Sequence, residues 1–133
     1  MSPDSLERDL VKCEDMRLYA VRAVEFLGAL SVEEFLADEL VQSAVIRCVE
    51  VVGEAARLVS ADTRRRAPGI SWPLIVGTRH ILAHDYGGVN LDKVHSIVAG
   101  DLPELIKLLE PLISELERET NWDADERGQE SPP

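Results

Sequence analysis

Residues 40–59, Leu40-Val41-Gln42-Ser43-Ala44-Val45-Ile46-Arg47-Cys48-Val49-Glu50-Val51-Val52-Gly53-Glu54-Ala55-Ala56-Arg57-Leu58-Val59, carry the reading on which the fold turns. Val41, Ala44, Val45, Cys48, Val51, Val52, Ala55 and Leu58 recur at spacings of three and four, so they line one face of a helix. A strand would need alternation, and none is present. Gly53 interrupts the helix interior, where glycine costs about 1 kcal/mol relative to alanine. Close approach of another backbone would account for it, and so would a merely tolerated glycine.

The same period extends outward in both directions. Leu6, Leu10, Cys13, Met16, Ala20, Val24 and Leu27 form a stripe over residues 5–27, with Gly28 near its end. Ser31-Val32-Glu33-Glu34 reads as a capping box opening a short turn through Phe35 and Leu36. On the C-terminal side, Asp62-Thr63-Arg64-Arg65-Arg66-Ala67-Pro68-Gly69 is a loop or short helical turn closed by a Pro-Gly breaker. Its arginine run is the densest positive charge in the chain, with solvated surface as the first explanation and phosphate contact as the second. Ser71-Trp72-Pro73 then starts a third helix, with Leu74, Ile75, Ile81 and Leu82 as its apolar side and Gly87-Gly88 as its end.

Asn90 caps a short helix over residues 91–99, and Asp101-Leu102-Pro103 starts the last one with Asp101 as cap. Leu102, Leu105, Ile106, Leu109, Leu112, Ile113 and Leu116 are its stripe, and Pro111 should kink it. The expected fold class is all-α, an up-and-down bundle of four main helices with one or two short additions. Residues 1–120 form the helical domain, and 121–133 are expected to be a polar, acidic, disordered tail.

Composition fits that class and limits the function. The chain has 133 residues, 45% hydrophobic but only 5% aromatic, as expected of a single helical domain. With no bilayer-length apolar run and no leader-like pattern, a soluble, cytoplasmic protein with no membrane association is expected. Cys13 and Cys48 fall on apolar faces and read as buried reduced thiols. The formal charge of −11 argues against a generic nucleic-acid coat, since nonspecific affinity comes from neutralising phosphates with Lys and Arg. A local cationic cleft or a complementary partner remains compatible with it.

Chemistry concentrates in Thr78-Arg79-His80-Ile81-Leu82-Ala83-His84-Asp85-Tyr86-Gly87-Gly88, which holds two of the three histidines and one of the two tyrosines. A fixed cation, groups that titrate near neutrality and a phenol are parts for handling phosphate. Arg79 and His84 stand five residues apart, about 140° apart on an ideal helix. They can share a site if the helix unwinds before His84, or if a symmetric dimer brings two copies together. His80 and His84 do share a face, which permits a zinc reading, but no third ligand is evident and no metal or other cofactor is expected. Surface capping by His80 and a core hydrogen bond from His84 are the plain alternatives.

The arrangement Arg-x4-His-x-Tyr, here Arg79, His84 and Tyr86, resembles the signature of the HEPN superfamily. More closely it resembles the HepT-like toxins paired with minimal nucleotidyltransferase antitoxins. The resemblance covers about residues 5–117. It includes Phe35-Leu36-Ala37-Asp38, Ala44-Val45-Ile46-Arg47, Val52-Gly53-Glu54-Ala55-Ala56, Pro68 with Ile70-Ser71-Trp72, Gly77 and Asp101-Leu102-Pro103. Departures are His80 where Asn is common, Gly87 where an aromatic often stands, and His95 where Trp is common.

The resemblance implies a metal-independent endoribonuclease, the toxin of a toxin–antitoxin pair, acting on RNA rather than DNA as a homodimer with its site at the interface. Arg79 and His84 would be catalytic, with His80 supporting them. Tyr86 would accept AMP from the antitoxin partner. A noncatalytic helical module that docks a nucleotidyltransferase or binds a nucleotide is the alternative.

Overall fold

The computed structural model describes residues 2–82 and 88–130, with side chains to residue 121. Among these no strand forms; the elements are helices α1 (Pro3–Leu27), α2 (Val32–Leu36), α3 (Glu39–Leu58), α4 (Ala61–Arg66), α5 (Trp72–Leu82), α6 (Leu91–Ser96) and α7 (Leu102–Glu130). None is long and apolar enough to cross a membrane. Helix α1 packs along both α3 and α7, while α5 lies against α3. Leu6, Cys13, Met16, Ala20 and Leu27 of α1 meet Val45, Val49, Val52 and Ala56 of α3 and Leu102, Leu109, Ile113 and Leu116 of α7 in one core. Burial raises the Cys13 thiol to about 12, with Asp9 and Glu14 adding to the effect, and also raises Cys48; both are free and buried. Such thiols pack as small hydrophobes and are poor nucleophiles.

The helix starts follow their caps. Ser31 accepts from the Glu34 amide at 3.1 Å and donates its own amide to the Glu34 carboxylate at 3.0 Å, completing the capping box. Asp38 caps α3 through the Val41 amide, and Asn90 caps α6 through the Lys93 amide. The arginine run forms α4, and each arginine has a structural task. Arg64 donates to the carbonyls of Ala56, Arg57 and Val59 and so closes the C-terminus of α3, its guanidinium lying over the Trp72 ring. Arg65 pairs with Asp62, and Arg66 with Glu115 and Glu119 of α7.

Three expectations require correction. Asp101 does not cap a separate helix: α6 passes through a π-helical turn, Ile97–Asp101, directly into α7. Pro103 has no amide hydrogen to continue α-helical bonding, and the widened turn absorbs the mismatch, with the Leu102 amide bonding the Ile97 carbonyl five residues back. The apolar stripe of α3 is also wider than its core contact. Leu58 is 45% exposed, while Val49 and Ala56, off that stripe, are buried. Helix α7 runs through Pro111 and on to Glu130, beyond residue 121 where an aperiodic tail was expected. Residues 121–130 contain no proline and one glycine, so little in them stops a helix.

One buried acidic side chain ties the N-terminal helix to α4. Asp9, only 4% exposed, accepts from the Ser60 amide at 3.1 Å and from the Ser60 and Thr63 hydroxyls at 2.5 Å each. Ser60 in turn caps α4. Asp9→Ala leaves these donors without their acceptor inside the protein, and should lower stability by about 2–3 kcal/mol in urea denaturation. A loss below about 0.5 kcal/mol, the range of ordinary surface changes, would refute this account.

Candidate phosphate-handling cleft

Helices α3 and α5 come closer than ordinary side chains allow, and Gly53 is the reason. A Cβ at Gly53 would lie 2.7 Å from Thr78 Oγ1, 3.3 Å from Arg79 Cγ and 3.4 Å from the Ile75 carbonyl oxygen. Thr78 is buried, and its hydroxyl is satisfied within α5 by donating to the Ile75 carbonyl at 2.7 Å. The glycine thus serves a close helix crossing, and that crossing sets Arg79 beside Glu54.

A cleft of about 510 Å³ opens there, between α1, α3 and α5. Lys12 and Asp15 line it from α1, and Arg79 and Leu82 from α5. Helix α3 contributes Arg47, Glu50, Val51, Glu54, Ala55 and Leu58. Val51 and Leu58, read from the sequence as core, therefore form part of its wall. The three cations and three carboxylates make the described lining locally balanced, unlike the strongly acidic chain around it.

Within the cleft Arg79 Nη1 lies 3.3 Å from Glu54 Oε2. The Glu54 carboxylate is gripped from its own helix by Arg57, with Nη2 to Oε1 at 2.7 Å and Nε to Oε2 at 3.3 Å. Hydrogen bonding from Arg57 holds the Glu54 carboxyl below its ordinary value; desolvation opposes this, and the charges of Arg57, Arg79 and Lys12 add to it. Glu54 therefore stays ionised through the neutral range, and Arg57 is correspondingly held more firmly in its charged form. Arg47 leans instead on Glu50, 3.5 Å away.

Of the residues singled out in the sequence, Arg79 faces this cleft, whereas His80 is exposed on α5 and does not line it. His84 and Tyr86 lie outside the described residues, as does Gly87. Gly88 is described, and its φ of +74° lies in the left-handed region that favours glycine, where the chain leaves the motif toward α6. His95 is structural: its Nε2 is 2.8 Å from the Leu30 carbonyl and its ring packs on Phe35. Among the described residues no three His, Cys, Asp or Glu side chains group as a metal site. Glu54, Lys12 and Arg47 were not foreseen as site residues. The Gly53-Glu54 pair was the available signal, a charge beside a costly glycine in an otherwise apolar helix face.

The profile of the family described as Ribonuclease HepT-like matches residues 16–112, a span that takes in Arg47, Glu54 and Arg79. The chain belongs to the HepT-like ribonuclease family. Its relatives include a protein of Thermococcus cleftensis named probable ribonuclease HepT, 37% identical over 81 residues, covering 61% of this chain and 74% of that one. Two proteins of Methanocaldococcus jannaschii named as candidate RNases are 36% identical over 87 residues and 34% identical over 103. These alignments cover 65% and 77% of this chain, and 80% and 89% of the relatives. No solved structure matches it. In this HepT-like chain the cleft is built mostly from the matched span, with Lys12 and Asp15 added from the start of α1.

The crossing at Gly53 gives a direct test of how the cleft is assembled. Gly53→Ala should destabilise the protein by about 1–2 kcal/mol, because the clash with Thr78 exceeds the gain in helix propensity. Adding Thr78→Ala should recover at least half of that loss in urea denaturation. A stabilised Gly53→Ala protein would mean that the two helices are not in close contact.

Proposed function

We propose that this HepT-like protein is an endoribonuclease toxin that cleaves RNA without a metal ion, using the substrate's own 2′-hydroxyl. The observation that carries the reading is Arg79, the arginine of the Arg-x4-His-x-Tyr motif, standing in a cleft of a chain that belongs to a ribonuclease family. In the reaction the 2′-oxygen bonds to phosphorus, the bond to the 5′-oxygen breaks, and a 2′,3′-cyclic phosphate remains. One group must take the 2′-proton and another must supply a proton to the leaving oxygen. An imidazole titrating near pH 6.5 suits either role, and His84 is assigned to it. The Arg79 guanidinium offers a planar fork to the phosphate oxygens as their charge grows. His80, on the face of α5 away from the cleft lining, supports the site only indirectly.

The dependence on a 2′-hydroxyl selects RNA over DNA. The enzyme acts as a homodimer, whose paired clefts divide the base and acid roles between two His84 side chains. Apolar surface adjoining the cleft favours this arrangement. Val11 and Leu18, 54% and 45% exposed, flank Asp15 on one face of α1, and Leu58 stands exposed across the opening. The partner that silences the toxin is a minimal nucleotidyltransferase. It transfers AMP from ATP to the Tyr86 oxygen with release of pyrophosphate, placing a bulky anion beside the cationic fork.

Purified protein should cut RNA, but not DNA of the same sequence, in the presence of excess chelator, leaving cyclic phosphate ends. Arg79→Ala should slow cleavage by about 10²–10³-fold. His84→Ala should slow it by about 10²–10⁴-fold and abolish growth inhibition on expression. Undiminished cleavage in both variants would sink the assignment. No cleavage by the wild-type protein, alongside tight binding of the nucleotidyltransferase, would identify a noncatalytic module instead.

Regulation has its own readout in intact mass after co-expression with the nucleotidyltransferase. AMP additions should appear on the wild-type chain and disappear in Tyr86→Phe. Their persistence in that variant would move the modification elsewhere.

A further inference from the structure

Glu54 is an unexpected neighbour for a phosphate-binding arginine, since a carboxylate in the same cleft repels the ligand that Arg79 is meant to hold. Stability does not explain it: Glu54 and Arg79 are 44% and 49% exposed, and ion pairs so exposed add little. The geometry of the cluster is more specific than a surface pair. Arg57 grips Glu54 through both carboxylate oxygens, fixing the side chain against its own helix. Arg79 approaches this carboxylate through Nη1, which lies 3.3 Å from Oε2. Held that way, a guanidinium keeps its opposite edge, Nε with Nη2, as a fork for two phosphate oxygens. The close crossing at Gly53 places the Arg79 Cγ so near α3 that the arginine emerges next to this anchor.

We propose that Glu54, braced by Arg57, is the positioning residue that aims Arg79 at the scissile phosphate. The inference rests on the reading of Arg79 as the phosphate clamp. Glu54 touches no reacting atom; it acts by limiting where the guanidinium can point. Its charge also opposes ground-state binding of RNA, so its removal has opposite effects on the two kinetic constants. The cation loses its aim and kcat falls, while a less repulsive cleft binds RNA as well or better and KM falls or holds. A carboxylate that merely competes with phosphate for Arg79 predicts the reverse for kcat, faster cleavage once it is gone.

Steady-state cleavage of one short RNA by the full chain decides between these, using Glu54→Ala, Glu54→Gln, Arg79→Ala and the double variant Glu54→Ala/Arg79→Ala. Glu54→Ala should lower kcat about ten- to a hundredfold with KM no higher. Glu54→Gln, which retains an oxygen acceptor, should recover part of the loss. The double variant should cleave no more slowly than Arg79→Ala alone, because the carboxylate acts only through the arginine. An unchanged or raised kcat in Glu54→Ala overturns the proposal, and so does a loss that adds fully to that of Arg79→Ala.

A second measurement does not depend on RNA cleavage. The Arg79 Nε–H signal in ¹⁵N NMR, identified by its absence in Arg79→Lys, should be sharp in the wild type and exchange-broadened or averaged in Glu54→Ala. An Arg79 signal indifferent to Glu54 overturns the positioning role even where cleavage falls. If the wild-type protein cuts no RNA, the ribonuclease reading fails, and this signal alone decides whether Glu54 orders Arg79.

Discussion

The contact of α5 with α3 across Gly53 is the constraint from which the cleft follows. Close packing admits few alternatives here, because any side chain at that position meets the Thr78 hydroxyl before van der Waals distance is reached. Thr78 satisfies its own hydroxyl within α5, so the buried contact leaves no unpaired polar group. The residue on one side of this contact, Arg79, and the residue after the glycine, Glu54, are then adjacent across two helices by construction. A modest local cost in helix propensity thus fixes a charged pair that sequence separation alone would not bring together.

The remainder of the molecule supports that crossing by holding α3 at both ends and along its length. Asp38 caps its start, and the guanidinium of Arg64 covers the carbonyls at its end. The buried face lies against α1, whose Asp9 also anchors the turn that leads away from α3. A cationic run that could have been phosphate-binding surface is consumed by this architecture. Arg64 closes a helix, Arg65 stays local, and Arg66 reaches the acidic face of α7.

Much of the helical order was legible because it depends on local rules. Ser31 and Asn90 announced their caps, and the stripes of α1 and α7 matched the buried residues Leu6, Met16, Leu109 and Leu116. Failures occurred where local rules admit two outcomes. Asp101-Leu102-Pro103 has the chemistry of a helix start, yet a π turn satisfies the same proline without breaking the rod. Val51 and Leu58 obey the period of α3, but an apolar residue at a stripe's edge can face a core or a cleft. The place of Glu54 in the cleft was not foreseen because Arg79, which it meets there, is on another helix, and only the costly glycine beside it hinted at the crossing. Arg79 lines the cleft, but its assigned role, like those of His84 and Tyr86, rests on the motif.

The balance of charge in the cleft has a kinetic consequence. Among the described residues that line it, Lys12, Arg47 and Arg79 are offset by Asp15, Glu50 and Glu54, within a chain of net charge −11. Such a surface provides no long-range funnel for a polyanion, and the field around it repels one. The repulsion extends to about 30 Å at 0.01 M salt and shrinks to about 8 Å at physiological strength. Encounter with RNA would therefore quicken as salt is added from very low levels, the inverse of the behaviour of basic nucleases. A ribonuclease carrying this charge would be slowed at the search step by its own field.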